Sequence, residues 1–151
     1  MERNPMDKFK DAAVWVAVML VIGIGLSVLS NAFILPDSAW LSIPKMYVKT
    51  VTTNDQDVTV NIVRRVAKTM PAEITISIYR QDNGEIPCLS ISRSEVMRKG
   101  SLSYSEAVEI EGELSAGQYV AEVYVSFSVG FGIRRDVIAN TSFVVVEAKD
   151  V

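Results

Sequence analysis

The side chains that most often carry chemistry are scarce in this chain. None of its 151 residues is a histidine. That removes the commonest general base and metal ligand, and with them every Ser-His or Cys-His arrangement. The single cysteine, Cys88, sits in the strand-like "EIPCLSIS" and is expected to be a small buried hydrophobe rather than a nucleophile. With one cysteine no intrachain disulfide can form. Glu109, Glu111 and Glu113 alternate with Val108, Ile110 and Gly112. Three carboxylates on one strand face could bind a cation, but the pattern is first that of a solvated face whose like charges oppose edge-to-edge association. "NDQD", Asn54 to Asp57, lacks the remaining spacing and the terminal glutamate of a calcium loop and reads as a turn. "GFGI", Gly130 to Ile133, precedes no helix and is not a phosphate loop. No catalytic, cofactor-binding or metal-ligating set emerges, so neither an enzyme nor a cofactor is expected.

Residues suited to binding are more numerous. Basic pairs occur at Arg64-Arg65, Arg98-Lys99 and Arg134-Arg135. Two of them brought together would meet an anionic surface; scattered, they are ordinary surface charge. The net charge of −3 and a sequence pI near 5.0 argue against nucleic acid, which calls for a basic stripe. Phe131, between two glycines at a hairpin tip, is a candidate loop contact. Asn140-Thr141-Ser142 matches a glycosylation acceptor, a short and frequent motif.

Two elements must position these residues. From Ala12 to Leu35 there is no charged side chain. As a helix this stretch would run roughly 36 Å, against a hydrocarbon core of about 30 Å. A transmembrane helix over 12–35 is therefore expected, with a cytoplasmic tail over 1–11. Arg3, Lys8 and Lys10 before it, against Lys45 and Lys49 after it, put the N-terminus inside. The competing reading is an export signal, whose apolar core is shorter, about 7–15 residues. Ser30-Asn31-Ala32 supplies the small-x-small cleavage site for it, with the cut after Ala32. Gly23 and Ser27, four apart, form a small-xxx-small pair that would let two helices approach closely. Pro36 ends the helix, and 36–44 reads as a short connection.

Over 45–151 the hydrophobic period is two. "EITISIY", Glu73 to Tyr79, puts Ile74, Ile76 and Ile78 on one face. "DNG" at Asp82 to Gly84 offers turn residues, and "IPCLSIS" follows as a partner strand with Pro87 at its start. "KMYVKTV", "VTVNIVR", "AVEIEGEL", "QYVAEVYVSF" and the run through "IRRDVIA" and "NTSFVVVE" bring the total to about seven strands. Short strands at roughly ten-residue spacing predict an all-β sandwich.

"LSAGQYVAEVYV" sharpens the prediction. Leu114, Gly117 and Tyr119 form L-x-x-G-x-Y at the head of a long alternating strand. This resembles the entry to strand F of immunoglobulin-like and fibronectin-III-like domains, where the tyrosine hydroxyl bonds back to the backbone. There is no cysteine pair, and no tryptophan lies in 45–151, so antibody-type domains are the poorer match. The resemblance implies an immunoglobulin-like sandwich and says nothing of function. The layout is also similar to small single-pass proteins of bacterial and phage genomes.

The sequence thus predicts a membrane-anchored, extracytoplasmic binding or assembly module acting through sandwich loops or a sheet edge. Its expected partners are the lipid bilayer and a protein or a second copy. Two alternatives stand beside it. An apolar helix followed by a sandwich resembles pilin-like and flagellin-like subunits, although no leader-peptidase site precedes Ala12. Cleavage after Ala32 would instead release a secreted sandwich domain.

Overall fold

The computed structural model describes residues 5–82 and 87–148, without the side chains of 5–12, 29–34 and 131. The chain divides into two compact units, Met1–Leu35 and Pro36–Val151.

The first unit is the helix α1 (Pro5–Ile34). Its described side chains cover residues 13–28, and Val14, Trp15, Met19, Leu20, Val21, Ile24 and Leu26 are all exposed. Apolar residues occupy every side of this stretch, so it has no polar face to turn to water. The membrane span expected over 12–35 requires correction. No helix among the described residues is long and apolar enough to cross a membrane. The single-pass topology with a cytoplasmic N-terminus and an extracytoplasmic domain loses its support with it. The Ser30-Asn31-Ala32 site lies outside the described side chains.

The second unit is a β-sandwich. A short 3-10 turn (Asp37–Ala39) leads into eight strands: β1 (Leu41–Val48), β2 (Val51–Thr52), β3 (Asp57–Val66), β4 (Met70–Arg80), β5 (Leu89–Met97), β6 (Gly100–Glu109), β7 (Gly117–Val129) and β8 (Ile133–Val146). One sheet has the order β1-β3-β6; the other runs β2-β8-β7-β4-β5. All pairings are antiparallel except β2 with β8, where Val51 and Thr52 lie parallel beside Val145 and Val146. β1 thus takes in Leu41 to Pro44 of the expected connection, and β2 is a strand the periodicity was too short to reveal.

The core follows from the alternation. Val58, Val60 and Ile62 of β3 face Ile74, Ile76 and Ile78 of β4 and Ala121, Val123 and Val125 of β7, all buried. A fully buried Val or Ile side chain contributes about 1.5–3 kcal/mol, which is the main driving force for closing the two sheets. The predicted tyrosine contact is present. The Tyr119 hydroxyl donates to the Ser115 carbonyl at 2.9 Å, and its buried ring stacks on Phe143 with centroids 5.7 Å apart. Leu114 is buried beneath the same corner.

Candidate functional site

Strand pairing turns every second residue of β4, β5, β7 and β8 outward, and the register arranges them in rows. Ser94, Glu73, Ser126 and Asp136 form one row; Ser92, Thr75, Tyr124 and Ile138 the next; Ser90, Ser77, Glu122 and Asn140 the third. Hydroxyls bond along these rows, Thr75 with Ser92 at 3.0 Å and Ser77 with Ser90 at 3.1 Å. Toward one end this face forms an open groove of about 550 Å³ lined by Pro71, Glu73, Ser94, Val96, Ser126 and Arg134 among others. Its hydroxyls, carboxylate and guanidinium suit hydrogen bonding to a polar ligand. Arg134 Nε donates to the Ser126 hydroxyl. Bonds from Ser126 first, and also from Tyr124, together with the Arg134 charge, hold the Asp136 carboxyl below the ordinary carboxylate range.

The two long sides of the sandwich differ in chemistry. On one side lie β5 and β6, joined by the turn Arg98-Lys99, where Gly100 adopts φ +128° as the chain crosses between sheets. Here the inward positions are charged. Arg64 of β3 falls on the apolar side of its strand, between Ile62 and Val66, and is buried. It pairs with Glu95 of β5. Arg93 pairs with Glu95 at 3.3 Å and with Glu106 of β6 at 2.7 Å. Both guanidiniums lie against the Tyr104 ring, 5.1 and 5.7 Å from its centroid. Burial raises the Tyr104 phenol pKa, and the positive charge of Arg64 opposes that rise. Two cations and two anions close this seam without net charge.

On the other side, β8 forms the rim of its sheet. β2 covers only Val145 and Val146, and β1 runs nearby in the opposite sheet without sharing a ladder with β8. Arg135 meets Asp37 at 3.2 Å near the start of β8. From Val137 to Val146 the strand carries no charge, and Ile138 and Val144 are exposed.

The residues singled out in the sequence are dispersed. Gly23 and Ser27 lie one turn apart on α1, and a Cβ added at Gly23 would meet no atom within 4 Å. The backbone of Phe131 lies in the 3-10 turn Gly130–Gly132 between β7 and β8; its side chain is outside the described residues. Cys88 is exposed rather than buried, because β5 begins one residue later and only the Cys88 N–H is engaged, donating to the Ile78 carbonyl at 2.7 Å. Of the three alternating glutamates only Glu109 is in a strand, and all three are exposed. Asn54 lies in a turn after β2, where the Asp55 carboxylate accepts the Thr52 N–H at 2.7 Å, and Asp57 already opens β3. Among the described residues no three His, Cys, Asp or Glu side chains group as a metal site. Of the basic pairs, Arg64-Arg65 splits, with Arg64 inward and Arg65 outward, whereas Arg98 and Lys99 are both exposed. The charged seam was missed in the sequence, although the alternation Val58, Val60, Ile62, Arg64, Val66 signals an inward arginine.

The arrangement defines a β-sandwich domain. Among solved structures, the C-terminal domain of Wzt is similar with a TM-score of 0.52 at 10% identity, over 74% of this chain and 75% of that one. At that identity the likeness is one of fold. Catalytically inactive OgpA from Akkermansia muciniphila in complex with an O-glycopeptide substrate matches at a TM-score of 0.32 and 15% identity, over 68% of this chain and 31% of that one, too little to carry an argument. No protein-family model and no curated protein matches the sequence.

Proposed function

We propose that the working part of this protein is a secreted β-sandwich domain, released by cleavage of its N-terminal segment after Ala32. One observation carries the reading: the chain divides at Leu35/Pro36, and the buried apolar core begins at Leu41. Among the described residues, the buried apolar core draws on none before Leu41. We read the sandwich as immunoglobulin-like, on the strand order and the Tyr119 corner. It acts by binding or assembly through its surface. The test is the intact mass of the natively expressed protein with its fractionation. A mass matching Phe33–Val151 outside the cell supports the reading; a full-length chain retained with the cells overturns it.

A second reading is favoured by the exposed apolar side chains of α1. In a pilin-like subunit, helices of successive copies would cover one another and the sandwich would face outward. Gly23 and Ser27 then mark the closest approach. Ordered filaments in electron micrographs, lost in Gly23→Ile, support this reading; monodisperse particles from the unmodified chain exclude it.

A further inference from the structure

We infer that Asn140 is an N-glycosylation site, whose side-chain amide nitrogen takes an oligosaccharide from a lipid-phosphate carrier. This rests on the secretion reading, because a chain meets such a donor only as it is exported.

The sequence narrows the choice to one residue. An acceptor needs a carboxamide with a Ser or Thr hydroxyl two residues on and no proline between. Of the six asparagines, at 4, 31, 54, 61, 83 and 140, only Asn140 has it, in Asn140-Thr141-Ser142. The structure makes this one accessible. Residues i and i+2 of a strand share a face, so the Asn140 carboxamide and the Ser142 hydroxyl point the same way. Both are exposed on the outward face of β8, whereas Thr141 between them turns inward and is half-buried. No hydrogen bond holds the Asn140 side chain among the described residues. Asn61 is the opposite case: it is buried, and its carboxamide oxygen accepts from the Ser105 hydroxyl at 2.7 Å.

The transfer balances without an oxidant or reductant. The amide nitrogen of Asn140 bonds to the anomeric carbon of the first sugar. The bond from that carbon to the carrier's phosphate oxygen breaks, and its electron pair leaves with the lipid phosphate. One amide proton passes to a base. The surroundings also fit the product. Ile138, two residues before Asn140, is 59% exposed, and Val144, four residues after it, is 50% exposed. Even spacing puts both on the Asn140 face of β8. They are large apolar side chains turned to water, and a bulky, solubilising glycan rooted between them shields them.

The experiment expresses the full chain, with its own N-terminal segment, in cultured mammalian cells, which glycosylate exported chains at such motifs. Intact mass is read in the medium and in the cells, before and after peptide-N-glycosidase F, which cleaves the asparagine–glycan bond. The expected product is a chain in the medium that starts at Phe33, carries the extra mass of one glycan and loses all of it to the enzyme. Asn140→Gln and Ser142→Ala should each lose the extra mass. Ser142→Thr should keep it, because the hydroxyl is restored. A chain in the medium bare of glycan overturns the site and leaves the secretion reading standing. Extra mass that persists in Asn140→Gln also overturns the site. A glycan on a full-length chain kept with the cells supports the site and overturns the cleavage. A bare full-length chain kept with the cells overturns both.

Discussion

On the β5–β6 side of the sandwich, inward positions near the rim are mostly charged; on the β8 side they are Arg135, paired with Asp37, and then Val137, Ala139 and Thr141. The two sides are closed by different means. At β5 and β6 the charges face inward and satisfy one another across the gap between sheets, through Arg64–Glu95 and Arg93–Glu106. A strand added there would have to cover those side chains. At β8 the corresponding inward residues are Val137, Ala139 and Thr141. The same fold therefore carries one rim closed by a network of ion pairs and one closed mostly by apolar side chains.

The largest expected break in this contrast is Arg64→Ala. It removes one partner of a mostly buried ion pair, leaving Glu95 to Arg93 alone, and should cost about 3 kcal/mol in urea denaturation. An unchanged midpoint would mean that the seam contributes nothing to closure. A smaller loss follows for Glu106→Gln. Its partner Arg93 is 39% exposed at the side chain, so solvent screening limits the change to below about 1 kcal/mol.

The seam should also respond to alkali. Because the folded-state pKa of Tyr104 is raised, its contribution is complete below the ordinary value of 10.0 and is lost as the pH climbs through the folded-state value. Denaturation midpoints across that range should fall in the parent and fall less in Tyr104→Phe. The smallest effect belongs to the outer face. Asp136 has a lowered pKa, so its contribution is present above the ordinary 3.8 and is lost as the pH falls through the folded-state value. Ser126→Ala removes the main cause, and a carboxyl titration by NMR should show the Asp136 pKa rising.

Much of this architecture was legible. The isoleucines of β4 and the L-x-x-G-x-Y entry to β7 are local patterns, and each lies where its period or spacing places it. The rims were not legible, because they depend on strand order. Glu95 lies 31 residues beyond Arg64, and only the folding of β5 beside β4 brings them together. Arg64-Arg65 read as a basic pair because adjacent residues look alike in sequence, whereas a strand sends them to opposite faces. The long apolar run misled in the other direction: length and absence of charge are the signature of a span, yet no helix among the described residues is long and apolar enough to cross a membrane.

A double-mutant cycle over Arg64 and Glu95, read in urea midpoints beside the same cycle over Arg135 and Asp37, tests the contrast most directly. Coupling should be larger across the more buried Arg64–Glu95 pair than across Arg135–Asp37. Equal coupling in both, or none across Arg64–Glu95, would contradict a sandwich whose β5–β6 rim is the one closed by ion pairs.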